Sequence, residues 1–114
     1  MDIKLYNIVA VVSSGYADLV VSIAKDNGAR GGTIIPANGS VTDEAIKLYG
    51  LDVHPEKEII LILVKEEFVK PILEKLYDKA GHTSEAQGIF FTLPVTHASE
   101  NLLSQYKTEP IKKE

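Results

Sequence analysis

The chain has 114 residues, 12 of them Lys or Arg and 16 Asp or Glu, for a formal net charge of −4 at pH 7. This length holds one domain with one continuous core and no separate catalytic module, so any site is built from that core's own layers or from neighbouring copies. The acidic balance, without a Lys/Arg cluster to track a phosphodiester backbone, argues against nucleic acid as a partner, and the lack of cysteine rules out disulfides, thiolate catalysis and cysteine-held zinc.

Met1-Asp2-Ile3-Lys4 runs directly into a strand pattern, with neither the apolar core nor the small-residue cleavage site of a signal peptide. The longest aliphatic stretch, Ile59 to Val64, is six residues and cannot span a bilayer. A soluble, cytoplasmic protein without membrane insertion is expected.

The dominant feature is one unit written twice. Leu5 to Val12 is an apolar run, Tyr16 to Asn27 an amphipathic helix, Gly28 to Gly32 a bend, and Thr33 to Ile35 a second apolar run. The pattern repeats as Ile59 to Val64, Glu66 to Lys79, Ala80 to Gly88 and Ile89 to Leu93. A duplicated strand, helix, strand unit predicts an α+β fold, the ferredoxin-like βαββαβ two-layer sandwich with two helices on one face of a four-stranded sheet.

In the first helix Ala17, Val20, Val21 and Ala24 form the apolar stripe. Ser13 or Ser14 is placed to cap it, and Asn27-Gly28 to end it. Between the two units lies a polar stretch, Ala37 to Glu56, in which Asp43 to Tyr49 has the pattern of two helical turns ended by Gly50. The second helix presents Phe68, Val69, Ile72, Leu73, Leu76 and Tyr77 as its apolar face, with Pro71 about one turn in. After Val95 the chain turns polar and then charged, and its last residues are expected to fray.

Ile8 to Val12 and Ile59 to Val64 are apolar at every position, whereas a sheet with one wet face alternates. Two helices shield only one face of such a sheet, so the other is expected to be buried against further copies. Burying about five aliphatic side chains per subunit contributes on the order of 10 kcal/mol before association entropy is deducted. The alternative is that the linker and tail fold over that face.

His54-Pro55-Glu56-Lys57-Glu58 leading into Ile59 to Val64, then a helix, then Gly88-Ile89-Phe90-Phe91-Thr92-Leu93-Pro94-Val95, resembles the PII signal-transduction family, and within it the stand-alone PII-like nitrogen regulators. Arg30 to Ile35 is similar to that family's second strand and Leu48-Tyr49-Gly50-Leu51 to its reconnecting segment. The resemblance covers about residues 4 to 96. It implies residues 1–96 as the PII-like domain, with the interaction loop at about 37–56, and 97–114 as a polar tail. It further implies a homotrimer whose sheets face the threefold axis, no enzymatic activity, and no resident cofactor. The implied effector is a small anion, an adenine nucleotide such as ATP, ADP or AMP, held in clefts between subunits. The implied target is a transporter, enzyme or transcription regulator in nitrogen or related metabolism.

Carried onto this sequence, the effector-binding candidates are Arg30, Gly31, Gly32 and Thr33 on one wall, Gly39 at the loop base, and Gly81, His82, Thr83 and Gly88 from the adjacent chain. Backbone N–H groups at the glycines would hold the anion, with Arg30 and His82 adjusting charge. The bend from Ala80 to Gly88 carries His82, Glu85 and Gln87 where the family has basic side chains, and the third strand opens Glu56-Lys57-Glu58 where the family is basic. Arg30 has the plainer reading of a surface arginine at a helix-to-strand bend, and Tyr49 reads as a packing residue rather than a modified one.

Two other classes stand beside the sensor: a scaffold trimer without nucleotide, and a metal-binding or small hydrolytic protein using His82 and Glu85. His97 and Glu100 share the same three-residue spacing. No one-turn histidine pair and no nucleophile elbow occurs, so neither a metal site nor an enzyme is expected.

Overall fold

The pairing of four strands sets which side chains meet. The computed structural model describes residues 3–40 and 55–107. In chain order these form β1 (Leu5–Ser13), α1 (Ala17–Asp26), β2 (Thr33–Asn38), β3 (Glu56–Lys65), α2 (Glu66–Ala80), β4 (Ile89–Pro94) and α3 (Glu100–Tyr106). The sheet order is β2-β3-β1-β4 with every neighbouring pair antiparallel. This is the expected βαββαβ arrangement, with one more helix at its end.

Ile8 pairs with Ile62 and Thr92, and Ala10 with Ile60 and Phe90. Because strand side chains alternate, the even-numbered set turns to the helices. Ile8, Ala10, Val12, Ile60, Ile62 and Val64 form one core with Ala17, Val20 and Ala24 of α1 and Ile72, Leu76 and Ala80 of α2. Each fully buried Ile or Leu in it is worth about 1.5–3 kcal/mol.

Several local expectations are corrected. Neither Ser13 nor Ser14 caps α1: the N-cap is Tyr16, with no side-chain cap bond, because β1 runs on through Ser13, which is 2% exposed and donates its N–H to the Ala86 carbonyl. Gly28 does close α1, at φ 116°. A side chain there would strike the Phe68 ring, 2.2 Å from the Cβ position. Pro71 is the sixth residue of α2, so it lies past the first turn, where its missing N–H would cost least. Tyr77 is 63% exposed, and Ala80 takes its place inward, since 72, 76 and 80 continue the same helical stripe. β2 and β3 absorb Ala37, Asn38 and Glu56, so the loop between them is narrower than 37–56. The helical turns expected at Asp43 to Tyr49, and His54, lie outside the described residues.

The tail holds the largest difference. Residues 100–106 form a helix with Tyr106 buried and Leu102 and Leu103 half-buried. The odd-numbered face of the sheet is thus partly covered by the chain's own tail and partly bare. Leu5 is 1% and Val9 8% exposed, whereas Ile35 is 39%, Ile89 61%, Phe91 46% and Leu93 50% exposed. No described helix is long and apolar enough to cross a membrane.

Candidate functional site

The strand register sends the sequence-derived candidates to opposite ends of the sheet. Asn38 at the end of β2 pairs with Glu56, and Ser13 at the end of β1 pairs with Lys57. Gly39 and the bend between α2 and β4 therefore share one end. Thr33, at the start of β2, pairs with Leu61 well along β3, which puts Arg30 to Thr33 toward the other end. The six residues of β2 separate the groups by about 17–20 Å.

At the first end, the bend is built mostly from its own backbone bonds. Ser84 donates its N–H to Gly81, Gln87 to Ser84, and Gly88 to Ala80 at 2.9 Å. A Cβ on Gly88 would lie 2.2 Å from the Ala80 oxygen and 2.4 Å from the Phe90 ring, and one on Gly81 2.5 Å from the Tyr77 oxygen. Close packing accounts for both glycines, and the Gly88 N–H is committed within the bend. Gln87 sits at φ 52°, an uncommon left-handed setting for a residue with a side chain. Glu85 accepts the Tyr16 hydroxyl at 2.8 Å, and that hydrogen bond, with some burial and the carboxylate's charge, raises the Tyr16 pKa above its usual value. His82 is exposed, its ring tilted against Tyr77 at 6.1 Å, and Thr83 is exposed beside it. Gly39 donates its N–H to the Pro55 carbonyl, and Lys57 passes 3.5 Å from its Cβ position. Lys57 is thus a cation at the loop base, legible in the sequence only as one lysine between two glutamates.

The other end holds an open cavity of about 380 Å³ lined by Asn7, Arg30 to Thr33, Leu61, Leu63, Gln105 and Tyr106. β2 begins opposite Leu61, so the next rung of β3, at Leu63, has no strand partner on that side. The Tyr106 hydroxyl fills it, donating to the Leu63 carbonyl at 2.9 Å. Burial raises the Tyr106 pKa, with the Arg30 charge opposing. Arg30 donates to the Gln105 carbonyl and lies 5.3 Å from the centre of the Tyr106 ring. No Cβ contact restricts Gly31. Asn7 Oδ1 is buried without a hydrogen-bond partner.

The cavity therefore combines apolar walls with a guanidinium. Sequence reading found Arg30 to Thr33 and missed Asn7, Leu61, Leu63, Gln105 and Tyr106. Leu102, Leu103 and Tyr106 at helical spacing after Ser99 were the available signal for α3; nothing local marks Asn7. Among the described residues no group of three or more His, Asp or Glu is placed to hold a metal ion. Glu85 is engaged by Tyr16, and His97 Nδ1 lies 3.3 Å from Thr96 Oγ1.

The fold is of the ferredoxin-like α+β class. Within that class, residues 5–100 match the family model of nitrogen regulatory protein P-II, and the chain belongs to this family of regulatory proteins. Among solved structures, PII from Arabidopsis thaliana bound to citrate superposes with a TM-score of 0.66 at 23% identity, covering 99% of this chain and 96% of that one. A PII-like signaling protein from Thermus thermophilus gives 0.63 at 24% identity, covering 83% and 90%. The nitrogen regulatory PII-like protein CPII from Thiomonas intermedia, bound to ADP, AMP and bicarbonate, gives 0.61 at 17% identity, covering 81% and 90%. At these identities the likeness is one of fold. No curated protein matches the chain.

Proposed function

We propose that the chain is a non-enzymatic signal-transduction protein that binds a small anionic effector, an adenine nucleotide, in clefts between the subunits of a homotrimer and thereby regulates a target protein in nitrogen or related metabolism. The observation that carries this reading is the Arg30 cavity. A planar base has apolar walls in Leu61 and Leu63, while Arg30 serves negative charge. Gly31, Gly32 and Thr33 supply the rest of that wall.

Gly39, Gly81, His82, Thr83 and Gly88 form the second wall from the adjacent chain. Their place at the far end of the sheet supports this division, because within one subunit the two groups do not meet. Lys57 adds a cation beside Gly39. The bare strip at Ile35, Ile89, Phe91 and Leu93 supports burial against sister subunits. The loop that follows Gly39 faces the target, which is a transporter, an enzyme or a transcription regulator.

The test is thermal shift with ATP, ADP and AMP, since a ligand that binds only the native state raises its melting temperature. A shift is expected that Arg30→Ala abolishes while the trimer persists. If intact wild-type trimers show no shift with any nucleotide, and displacing α3 does not restore one, the scaffold reading replaces this one.

A further inference from the structure

We propose that the C-terminal helix α3 and an anionic effector compete for Arg30, so that effector binding releases the helix from the cavity mouth and exposes the C-terminal segment as a second effector-dependent surface. This rests on the effector reading above. Arg30 donates to the Gln105 carbonyl and sits over the Tyr106 ring, and Gln105 and Tyr106 line the same cavity as Arg30, Gly31, Gly32 and Thr33. A ligand that occupies this space and takes the guanidinium meets the helix in both respects.

The direction follows from the partners on offer. In the docked state Arg30 donates to the Gln105 carbonyl and lies over a ring face, among its other contacts. A phosphate offers it what the Gln105 carbonyl lacks, a negative charge and a second acceptor oxygen for a bidentate pair. The helix has little of its own to hold it. It is seven residues long, too short to persist undocked, and its one buried side chain is Tyr106. Leu102 and Leu103 are only half-buried. By linkage, a helix displaced by the effector must weaken the effector's binding by the same factor.

The experiment pairs limited chymotrypsin digestion with calorimetric titration of ATP, ADP and AMP into the full-length protein and its Tyr106→Ala variant. Nucleotide is expected to accelerate cleavage after Leu102, Leu103 and Tyr106 in the wild type. The variant, relieved of its internal competitor, is expected to bind about tenfold more tightly. Gln105→Pro, which unwinds the same helix at an exposed position, gives the same gain and guards against a folding defect in the first variant. Binding by the variants where the wild type binds none of the three also supports competition. Unchanged or slower cleavage on binding, or variants that bind no tighter than wild type, overturns the inference and leaves the effector reading standing. Failure of the wild type and both variants to bind any of the three overturns both.

Discussion

Gly88 and Gly31 occupy contrasting settings although both were drawn from the same sequence pattern. A methyl group on Gly88 collides with the Ala80 carbonyl and the Phe90 ring, and overpacking of this kind costs about 1–3 kcal/mol. Gly88→Ala should therefore lower the denaturation midpoint with or without nucleotide. Gly31 has open space around it, so Gly31→Ala should leave the midpoint unchanged and act only on ligand binding. Equal destabilisation by the two in urea melts would contradict this division. Tyr106 provides a pH test. Its folded pKa is raised above 10.0 by burial, so its stabilising contribution is fully present below about pH 10 and is lost as pH rises through the folded value. Tyr106→Phe should remove that alkaline step and cost about 1 kcal/mol for the lost bond to Leu63, as read by melts across pH 8 to 11.

At the scale of elements, α2 carries a defect in an otherwise regular helix. Pro71 is its sixth residue and is exposed, so it gives up an interior N–H bond without burying its ring. Pro71→Ala should stabilise the domain by on the order of 1 kcal/mol, the restored bond outweighing the greater freedom of the unfolded chain. A lower melting temperature for this variant would show that the proline fixes the path from β3 into α2. Around it the packing is conventional: Ile72 and Leu76 are fully buried between α1 and the sheet. Truncating Leu76 to Ala should cost about 2–5 kcal/mol, measured by denaturant unfolding.

For the whole molecule, the strip formed by Ile35, Ile89, Phe91 and Leu93 lies on the sheet face that the helices leave bare. Wetting such a surface is unfavourable, and the tail helix reaches only the Leu63 side of it. If the proposed trimer forms through this strip, Phe91→Asp should yield folded single subunits under conditions where the wild type scatters light as a trimer, and should also abolish the nucleotide shift because the cleft loses its second wall. A trimer that survives the substitution would place the interface elsewhere.

The duplicated strand-helix-strand pattern was sufficient to specify the architecture, because the short apolar runs Ile8 to Val12 and Ile59 to Val64 and the helical period in Ala17 to Ala24 and Phe68 to Leu76 are local properties. The unbroken apolarity of β1 and β3 also called for cover on both faces, of which the chain's own tail helix supplies a part. What the sequence could not assign was the cover itself: Tyr106 docks on Leu63 only because β2 starts one rung away, a register fact with no local signature. The same holds for the candidate site. Arg30 and the glycines are visible as residue types, but their separation to opposite ends of the sheet, and the meeting of Asn7, Arg30 and Tyr106 around one cavity, follow from strand pairing between residues tens of positions apart. Local periodicity determines which elements form; only the tertiary pairing decides which side chains share a space.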